Sequence, residues 1–350
     1  MQLQPFPDEA PINPGAFVRE HGASGLAERL RVKGGYVIQA RPLKALEKAL
    51  RRNKPLLCEG ERGSGKTALA MAVSRAFNLP VGLLQCMHGL GISEVLYEWE
   101  REAQNQFVRQ QTEAGSELKA AQARQWTRDF LRLGSALEPF DYASRQPFPP
   151  VAIYDEIDKL DDKGEDMLLQ LLQEGHATVP RLAPDPRVGV IEPGGMWPLV
   201  ILTSNNMRSG VSSPLRSRCY YTFIRSATAE EEMHILSAQA PAAPAALLGQ
   251  VVKLMRYIGR LGGVRDKPAL RESIDFCKTL VDEDVERLDR VIIEENLCAL
   301  AKQPTDLEEM GSAVAAMQRA VEKEDAEIDR WAMEACEATK HFASRVGTGQ

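Results

Sequence analysis

The chain has 350 residues, 44% apolar and 26% charged, the balance of a globular protein of two or three domains. Its 43 Lys and Arg against 49 Asp and Glu leave a net charge of −6, so a broadly basic nucleic-acid face is not the default expectation. No apolar run approaches a membrane span, and the N-terminus lacks the basic start and apolar core of a secretory signal. The six cysteines (Cys58, Cys86, Cys219, Cys277, Cys298, Cys336) lie scattered without CxxC spacing, against a disulfide framework or a structural zinc and for reduced thiols in a cytoplasm.

Residues 1–15 hold Pro5, Pro7, Pro11 and Pro14 and read as an extended leader. Residues 42–52 repeat apolar positions near every 3.6 residues and read as a short amphipathic helix. Pro55 to Glu59 follows as a short buried strand, then a glycine-rich turn, then an alanine-rich helix from Thr67 to Phe77. This is the opening of an α/β unit. Residues 92–145 are rich in Gln, Glu and Arg, with Tyr97, Trp99, Phe107, Trp126 and Phe130 between, and read as mostly helical. Val151–Tyr154 is a second strand, followed by a helix from about Gly164 to Gln173. Residues 175–198 are Gly/Pro-rich and read as a hairpin-like excursion, and Leu199–Thr203 is a third strand.

From Thr228 the strand signals fade. Thr228 with Glu231 three residues on is a capping-box start. Helical stretches follow at about 229–238, 246–261, 268–280 and 284–302. A last helix covers about 313–345, its apolar stripe breaking at Glu324/Asp325. No internal repeat is present.

Gly60-Glu61-Arg62-Gly63-Ser64-Gly65-Lys66-Thr67 satisfies GxxxxGK[ST] between a predicted strand and a predicted helix. Glycines there let successive N–H groups turn inward around phosphate oxygens, and the helix N-terminus adds positive potential. Gly60 to Thr67, with the following Ala68, are the expected nucleotide-binding residues, Lys66 on the β- and γ-phosphates and Thr67 on Mg²⁺. The strand Val151–Tyr154 ends in Asp155 and Glu156. Asp155 is the expected Mg²⁺ partner, since a hard cation wants oxygen ligands. Glu156 is the expected group that polarises the attacking water. His88 and His176 have no companion ligands in pattern and read as polar loop histidines.

These residues carry a family pattern. Gly60–Thr67 resembles a Walker A motif and Val151–Glu156 a Walker B motif. Leu202-Thr203-Ser204-Asn205 resembles the sensor 1 strand of AAA+ ATPases, Leu215–Cys219 their arginine-finger segment, and Pro268-Ala269-Leu270-Arg271 the start of a sensor 2 helix. The intervals, 89 residues from Lys66 to Asp155, 50 on to Asn205, 13 to Arg218 and 53 to Arg271, fit one AAA+ module. Leu84–Leu90 with Leu96–Trp99, Asp155–Lys159, and Leu202–Arg208 with Leu215–Cys219 are similar to the MoxR family. The closest branch is the one associated with carbon monoxide dehydrogenase maturation. The resemblance covers about residues 35–300.

The resemblance implies an α/β fold, a P-loop AAA+ core with a five-stranded parallel sheet flanked by helices, followed by an α-helical lid. The chain is expected to divide into a leader (1–34), a nucleotide-binding core (35–226), a lid (227–310) and a C-terminal helix (311–350), of which residues 1–34 and 305–350 are not explained by the resemblance. The resemblance implies an ATP- and Mg²⁺-dependent ATPase that self-assembles into a hexameric ring. Asn205 would hold the attacking water with Glu156, Arg218 would reach the neighbouring subunit's γ-phosphate, and Arg271 would contact the γ-phosphate in its own subunit. Asn206 and Arg216 stand as alternatives for Asn205 and Arg218. Tyr97 and Trp99 fall where the family inserts a loop that can face the ring's pore, with packing in the core or at a subunit interface as the other reading.

The implied function is a cytoplasmic chaperone that remodels a protein complex or helps mature a metalloenzyme, with a von Willebrand factor A-domain partner and a client complex, no membrane and no nucleic acid. A nucleic-acid motor or loader, or a GTP-using restriction-type subunit, is the alternative. A nucleotide-gated scaffold that hydrolyses poorly ranks last, because the catalytic set is complete.

Overall fold

The computed structural model describes residues 10–205 and 210–347. Contacts divide the chain into two units. One comprises Met1–Gly34, Ile38–Gly60 and Lys66–Ile224, and the other Gly35–Val37, Glu61–Gly65 and Arg225–Gln350. Among the described residues no helix is long and apolar enough to cross a membrane.

The first unit opens on α1 (Pro14–Val32) and α2 (Ala40–Arg52). The expected leader is therefore a packed helix over most of its length. Asn13 caps α1 by accepting the Ala16 N–H, and Pro14 sits in the first turn, where its missing N–H is no loss. The helix kinks at Gly22, where φ is 65°. Val18, Leu26 and Leu30 are fully buried. Phe17 meets Phe77 edge-on at 5.4 Å, with the Arg29 guanidinium over both rings. Each large apolar side chain buried this way stabilises by about 1.5–3 kcal/mol, which holds the segment down.

The unit continues through β1 (Leu56–Gly60), α3 (Lys66–Phe77), β2 (Val81–Gln85), α4 (Ile92–Val95), β3 (Tyr97–Trp99), α5 (Arg101–Glu113), α6 (Leu118–Arg124), β4 (Leu131–Leu133) and α7 (Glu138–Ala143). Then come β5 (Val151–Asp155), α8 (Asp162–Glu174), β6 (Ala177–Thr178), β7 (Arg187–Val188), β8 (Leu199–Ser204), α9 (Ser213–Arg218) and β9 (Tyr220–Ile224). Five strands form one parallel sheet in the order β2-β5-β8-β1-β9. The α/β expectation holds. Burial follows position: β1 and β8 are buried at every residue and β5 at all but Asp155, whereas edge strands β2 and β9 alternate. A parallel strand covered on both faces must be apolar throughout, and an edge strand need not be. The order places β8 between β1 and β5, so the carboxyl ends of these three strands share one rim. Ligands of open parallel sheets bind at that rim.

The stretch 92–145 is helical only in part, because β3 and β4 pair antiparallel, Tyr97 opposite Leu133 and Trp99 opposite Leu131. Trp99 meets Trp126 at 5.0 Å, nearly perpendicular, and both Tyr97 and Trp99 pack on the unit's core. The excursion at 175–198 contains the expected pairing, β6 with β7.

The second unit is helical: α10 (Ala229–Gln239), α11 (Ala245–Arg260), α12 (Leu270–Asp282), α13 (Arg290–Glu295), α14 (Leu297–Leu300), α15 (Pro304–Glu322) and α16 (Ala326–Gly347). The capping box is present: Thr228 Oγ1 accepts the Glu231 N–H, and Glu231 accepts the Thr228 N–H. Two expectations are corrected. The stretch 284–302 is not one helix. Asp284 is left-handed (φ 55°), and α13 starts only where Asp289 accepts the Ile292 N–H. The last helix is two. They break at Lys323–Asp325, where Asp325 accepts the N–H groups of Glu327 and Ile328 and so starts a new helix. Both belong to the unit's core, which gathers Met233, Leu236, Leu247, Val251, Leu254 and Phe276 with Met310, Val314, Met317, Ile328 and Ala335.

Candidate functional site

The phosphate loop leaves the end of β1. Gly63 and Gly65 have φ of 78° and 89°, the left-handed region that L side chains avoid. A Cβ on Gly63 would also lie 2.7 Å from the Ala269 Cβ. Lys66, at the start of α3, is buried, and its ammonium donates to the Gly60 carbonyl at 3.0 Å. Burial pushes its pKa down, opposed by the carboxylates of Asp155, Asp158 and Glu156. Ser64 Oγ is buried inside the turn without a hydrogen bond. A phosphate oxygen suits this cradle: it would accept from the hydroxyl and the inward N–H groups and offset the charge of Lys66.

The carboxyl ends of β5 and β8 supply the acids and their partners. Asp155 Oδ1 accepts from both Thr67 Oγ1 and Thr203 Oγ1, each at 2.6 Å. Thr67 and Asp155 thus form an oxygen pair of the kind Mg²⁺ prefers. Glu156 is left-handed (φ 56°, ψ 48°), held there by its N–H donating to Thr203 Oγ1 at 3.0 Å. For a residue with a Cβ this costs about 1–2 kcal/mol. Its Oε1 accepts from Asn205 Nδ2 at 2.9 Å, and its Oε2 from Gln85 Nε2 at 2.9 Å and from the Lys159 ammonium. The Asn205 N–H donates to Asp158 Oδ1 at 3.0 Å. Sequence reasoning placed Glu156 beside Asn205, and the two are in contact. It gave no part to Gln85 and Thr203, which reach Glu156 and Asp155 from elsewhere in the chain, and it left Asp158 and Lys159 between a site role and helix N-terminal charges. Asn206, the alternative to Asn205, lies outside the described residues.

Helix α9 carries two arginines that behave differently. Arg216 pairs with Glu59 at the end of β1, donates from Nε to the Val211 carbonyl at 3.0 Å, and lies over the Tyr221 ring. The Tyr221 hydroxyl donates to Glu59 Oε2 at 3.0 Å. Arg216 is thereby bound within its own chain. Among the described residues Arg218 donates to surface groups alone, the Pro214 carbonyl at 2.8 Å and Gln173 Oε1 at 2.6 Å. It is the more available of the two for a group outside this chain. Arg271 is not brought to the phosphate turn. Its side chain is 85% exposed beside Asp275, and the residue facing Gly63 is Ala269, two positions earlier. Helical periodicity turns Arg271 to another side of α12.

His88 is exposed, and His176 Nδ1 lies 3.0 Å from the Glu174 carbonyl. Among the described residues no group of three or more His, Cys, Asp or Glu could hold a metal ion. The two-oxygen pair of Thr67 and Asp155 instead fits a cation that brings water and phosphate oxygens with it.

Residues 55–219 match the family model for the AAA domain of the dynein-related subfamily. No curated protein matches the chain. Among solved structures, the Thermotoga maritima RuvB Holliday junction branch migration motor is 16% identical, over 82% of this chain and 73% of that one, with a TM-score of 0.40. A mutant form of Thermotoga maritima RuvB is 17% identical, over 83% and 74%, with a TM-score of 0.42.

Proposed function

We propose that this chain is a Mg²⁺-dependent ATPase that works as a ring and converts ATP hydrolysis into remodelling of a protein complex. The reading rests first on one observation: Thr67, Asp155, Thr203, Glu156 and Asn205 are linked by hydrogen bonds on the rim where the phosphate loop begins. The AAA domain match over residues 55–219 supports the same chemistry.

Each residue has a part. Gly60, Glu61, Arg62, Gly63, Ser64, Gly65 and Ala68 shape the cradle, and Lys66 neutralises the β- and γ-phosphates. Thr67 and Asp155 would hold Mg²⁺, which would supply positive charge against the negative charge of the phosphates. Glu156 orients and polarises the attacking water with Asn205. Asn205 takes one acceptor site on Glu156 Oε1 and leaves the other open to the water's proton, while Gln85 and Lys159 hold Oε2. Arg218 acts on the site of the next subunit in a hexameric ring, where an arginine supplied in trans is worth about 10³–10⁵ in rate. Arg216, fixed to Glu59, has no part in that contact.

The MoxR-like segments extend the proposal to a cytoplasmic chaperone of metalloenzyme maturation with a von Willebrand factor A-domain partner and a client complex. The test is ATP turnover by the full-length chain with and without Mg²⁺, and pull-down by the Glu156→Gln variant in ATP. Capture of a von Willebrand factor A-domain protein supports the chaperone reading. Turnover that is silent to protein but stimulated by DNA or RNA replaces it with a nucleic-acid motor.

A further inference from the structure

Helix α2 lies wholly within the first unit, and its two faces differ sharply. Pro42, Leu46, Ala49 and Leu50 are buried, while Arg41, Lys44, Lys48, Arg51 and Arg52 are exposed, with exposed Lys54 just beyond the C-cap. At about 100° per residue the five helical cations fall within about a third of the circumference. Glu47 is the one acid of the helix, and it pairs with Arg51, which also donates to the Val18 carbonyl at 3.1 Å. Among the described residues no ion pair or hydrogen bond engages the side chains of Arg41, Lys44, Lys48, Arg52 or Lys54.

The stability of the helix does not call for this stripe. Arg41 stands in the first turn, where the macrodipole disfavours a cation and no acid offsets it. Lys44 and Lys48, and again Lys48 and Arg52, are like charges one turn apart, which weakens a helix. Of the four unpaired cations on the helix, the dipole favours only Arg52, in the last turn. The stripe therefore opposes the helix that carries it, in a chain whose net charge is −6.

Charge and spacing together select a partner. Steps of three and four residues set Arg41, Lys44, Lys48 and Arg52 about 4.5–6 Å apart along the axis, the interval at which carboxylates recur on one face of another helix. Single-stranded nucleic acid is held by aromatic rings stacked on its bases, and α2 carries none. An amphipathic helix enters a bilayer by its apolar face, and that of α2 is buried against the protein.

We propose that the outer face of α2 docks an acidic helical segment of a partner protein, whose carboxylates recur every three or four residues opposite Arg41, Lys44, Lys48 and Arg52. Nothing in this depends on the nucleotide reading above. Each exposed ion pair contributes about 1.4- to fivefold in affinity, so the contact needs several pairs in register. Salt screens all of them.

The experiment measures binding to the full-length chain between about 50 and 200 mM salt. The probes are a labelled helical peptide with Glu aligned on one face, a peptide of the same composition with Glu scattered around the helix, single-stranded and duplex oligonucleotides of matched charge, and phosphatidylserine vesicles. The aligned peptide should bind at least about tenfold tighter than the scattered one, and lose about tenfold or more in Lys44→Glu/Lys48→Glu. Its affinity should fall as salt rises. Lys119→Glu/Arg124→Glu changes the net charge equally on α6 and should leave binding unchanged. Lys44→Glu alone turns two like pairs, with Arg41 and with Lys48, into opposite ones, so its Tm should not fall. A lower Tm there means that the stripe serves the fold, and overturns the proposal. No binding of the aligned peptide at the lower salt, equal binding of the two peptides, or an equal loss in Lys119→Glu/Arg124→Glu overturns it as well. So does tighter binding of an oligonucleotide, or capture by vesicles that Lys44→Glu/Lys48→Glu abolishes, since the face then belongs to a nucleic acid or a lipid surface.

Discussion

The pair between Glu59 and Arg216 yields a prediction with a definite size. Glu59 ends the strand that launches the phosphate loop, and its side chain is 3% exposed, while that of Arg216 is 36% exposed. Removing one partner of a fully buried pair costs about 3–5 kcal/mol, because the other charge is left in a poor solvent. An exposed pair is worth about 0.2–1 kcal/mol. Arg216 stands over a third exposed, so screening reduces the larger figure, and about 2–3 kcal/mol is expected for Arg216→Met. In a domain of roughly 150–250 residues that lowers the melting temperature by about 4–12 °C. The assay is thermal unfolding of the full-length chain, run as a double-mutant cycle with Glu59→Gln. The double variant should recover part of the loss, since the stranded carboxylate is gone. A coupling energy below about 0.5 kcal/mol, or a Tm change under about 2 °C in Arg216→Met, would show that water screens the pair and that α9 is not anchored through it.

Four further outcomes are expected. Glu156→Gln should lower ATP turnover by about 10²–10⁴ while leaving nucleotide affinity near normal, read by phosphate release and calorimetry; normal turnover would remove Glu156 from the proton-accepting role. Gly65→Ala forces an L side chain to φ 89° beside the Tyr36 ring, costs about 1–2 kcal/mol, and should weaken nucleotide binding; unchanged affinity would mean the turn does not need its left-handed residue. Burial pushes the thiols of Cys58, Cys86 and Cys219 up to about 12 from an ordinary 9.0. A raised pKa stabilises the neutral folded form, so this stability is complete below about pH 9. It falls as pH climbs toward 12, by up to about 1.4 kcal/mol per pH unit per thiol. Melting temperature from pH 8 to 11 should drop, and less steeply in Cys58→Val; an identical slope would place Cys58 outside the effect. Mixing Lys66→Ala with Arg218→Ala subunits, each inactive alone, should restore some ATP turnover, and none at any ratio would argue that no site is shared between subunits.

The sequence made the phosphate loop, the three central strands and the two acids legible because each depends on local rules. Left-handed glycines, a continuous apolar run and a carboxylate at a strand end all show in a few consecutive residues. What escaped depends on long-range contact. Gln85 and Glu156 are 71 residues apart and Glu59 and Tyr221 are 162 apart, and no periodicity brings either pair together. Strand β9 escaped because five alternating residues on an edge look like any exposed turn until β1 provides its partner. Other misses had signals in plain view. Asn13 with Pro14 is a helix start, which the surrounding prolines masked as an extended leader. Asp325 breaks an apolar stripe, yet as an N-cap it announces a second helix. Arg271 was placed by motif alone, and two residues along a helix changed the direction it faces.

The helical core has a consequence for biogenesis. Its apolar surface is completed by Val314, Met317, Ile328 and Ala335, near the end of the chain, whereas the sheet is complete at Ile224. Translation at about 5–20 residues per second leaves an interval on the order of ten seconds in which α10 and α11 have emerged without their closing helices. During that interval the nascent chain presents Leu247, Val251, Leu254 and Ile258 to water, a demand on whatever holdase meets it at the ribosome. Removal of α16 would take Ile328, Ala332 and Ala335 out of that core and leave the apolar surface they cover open to water.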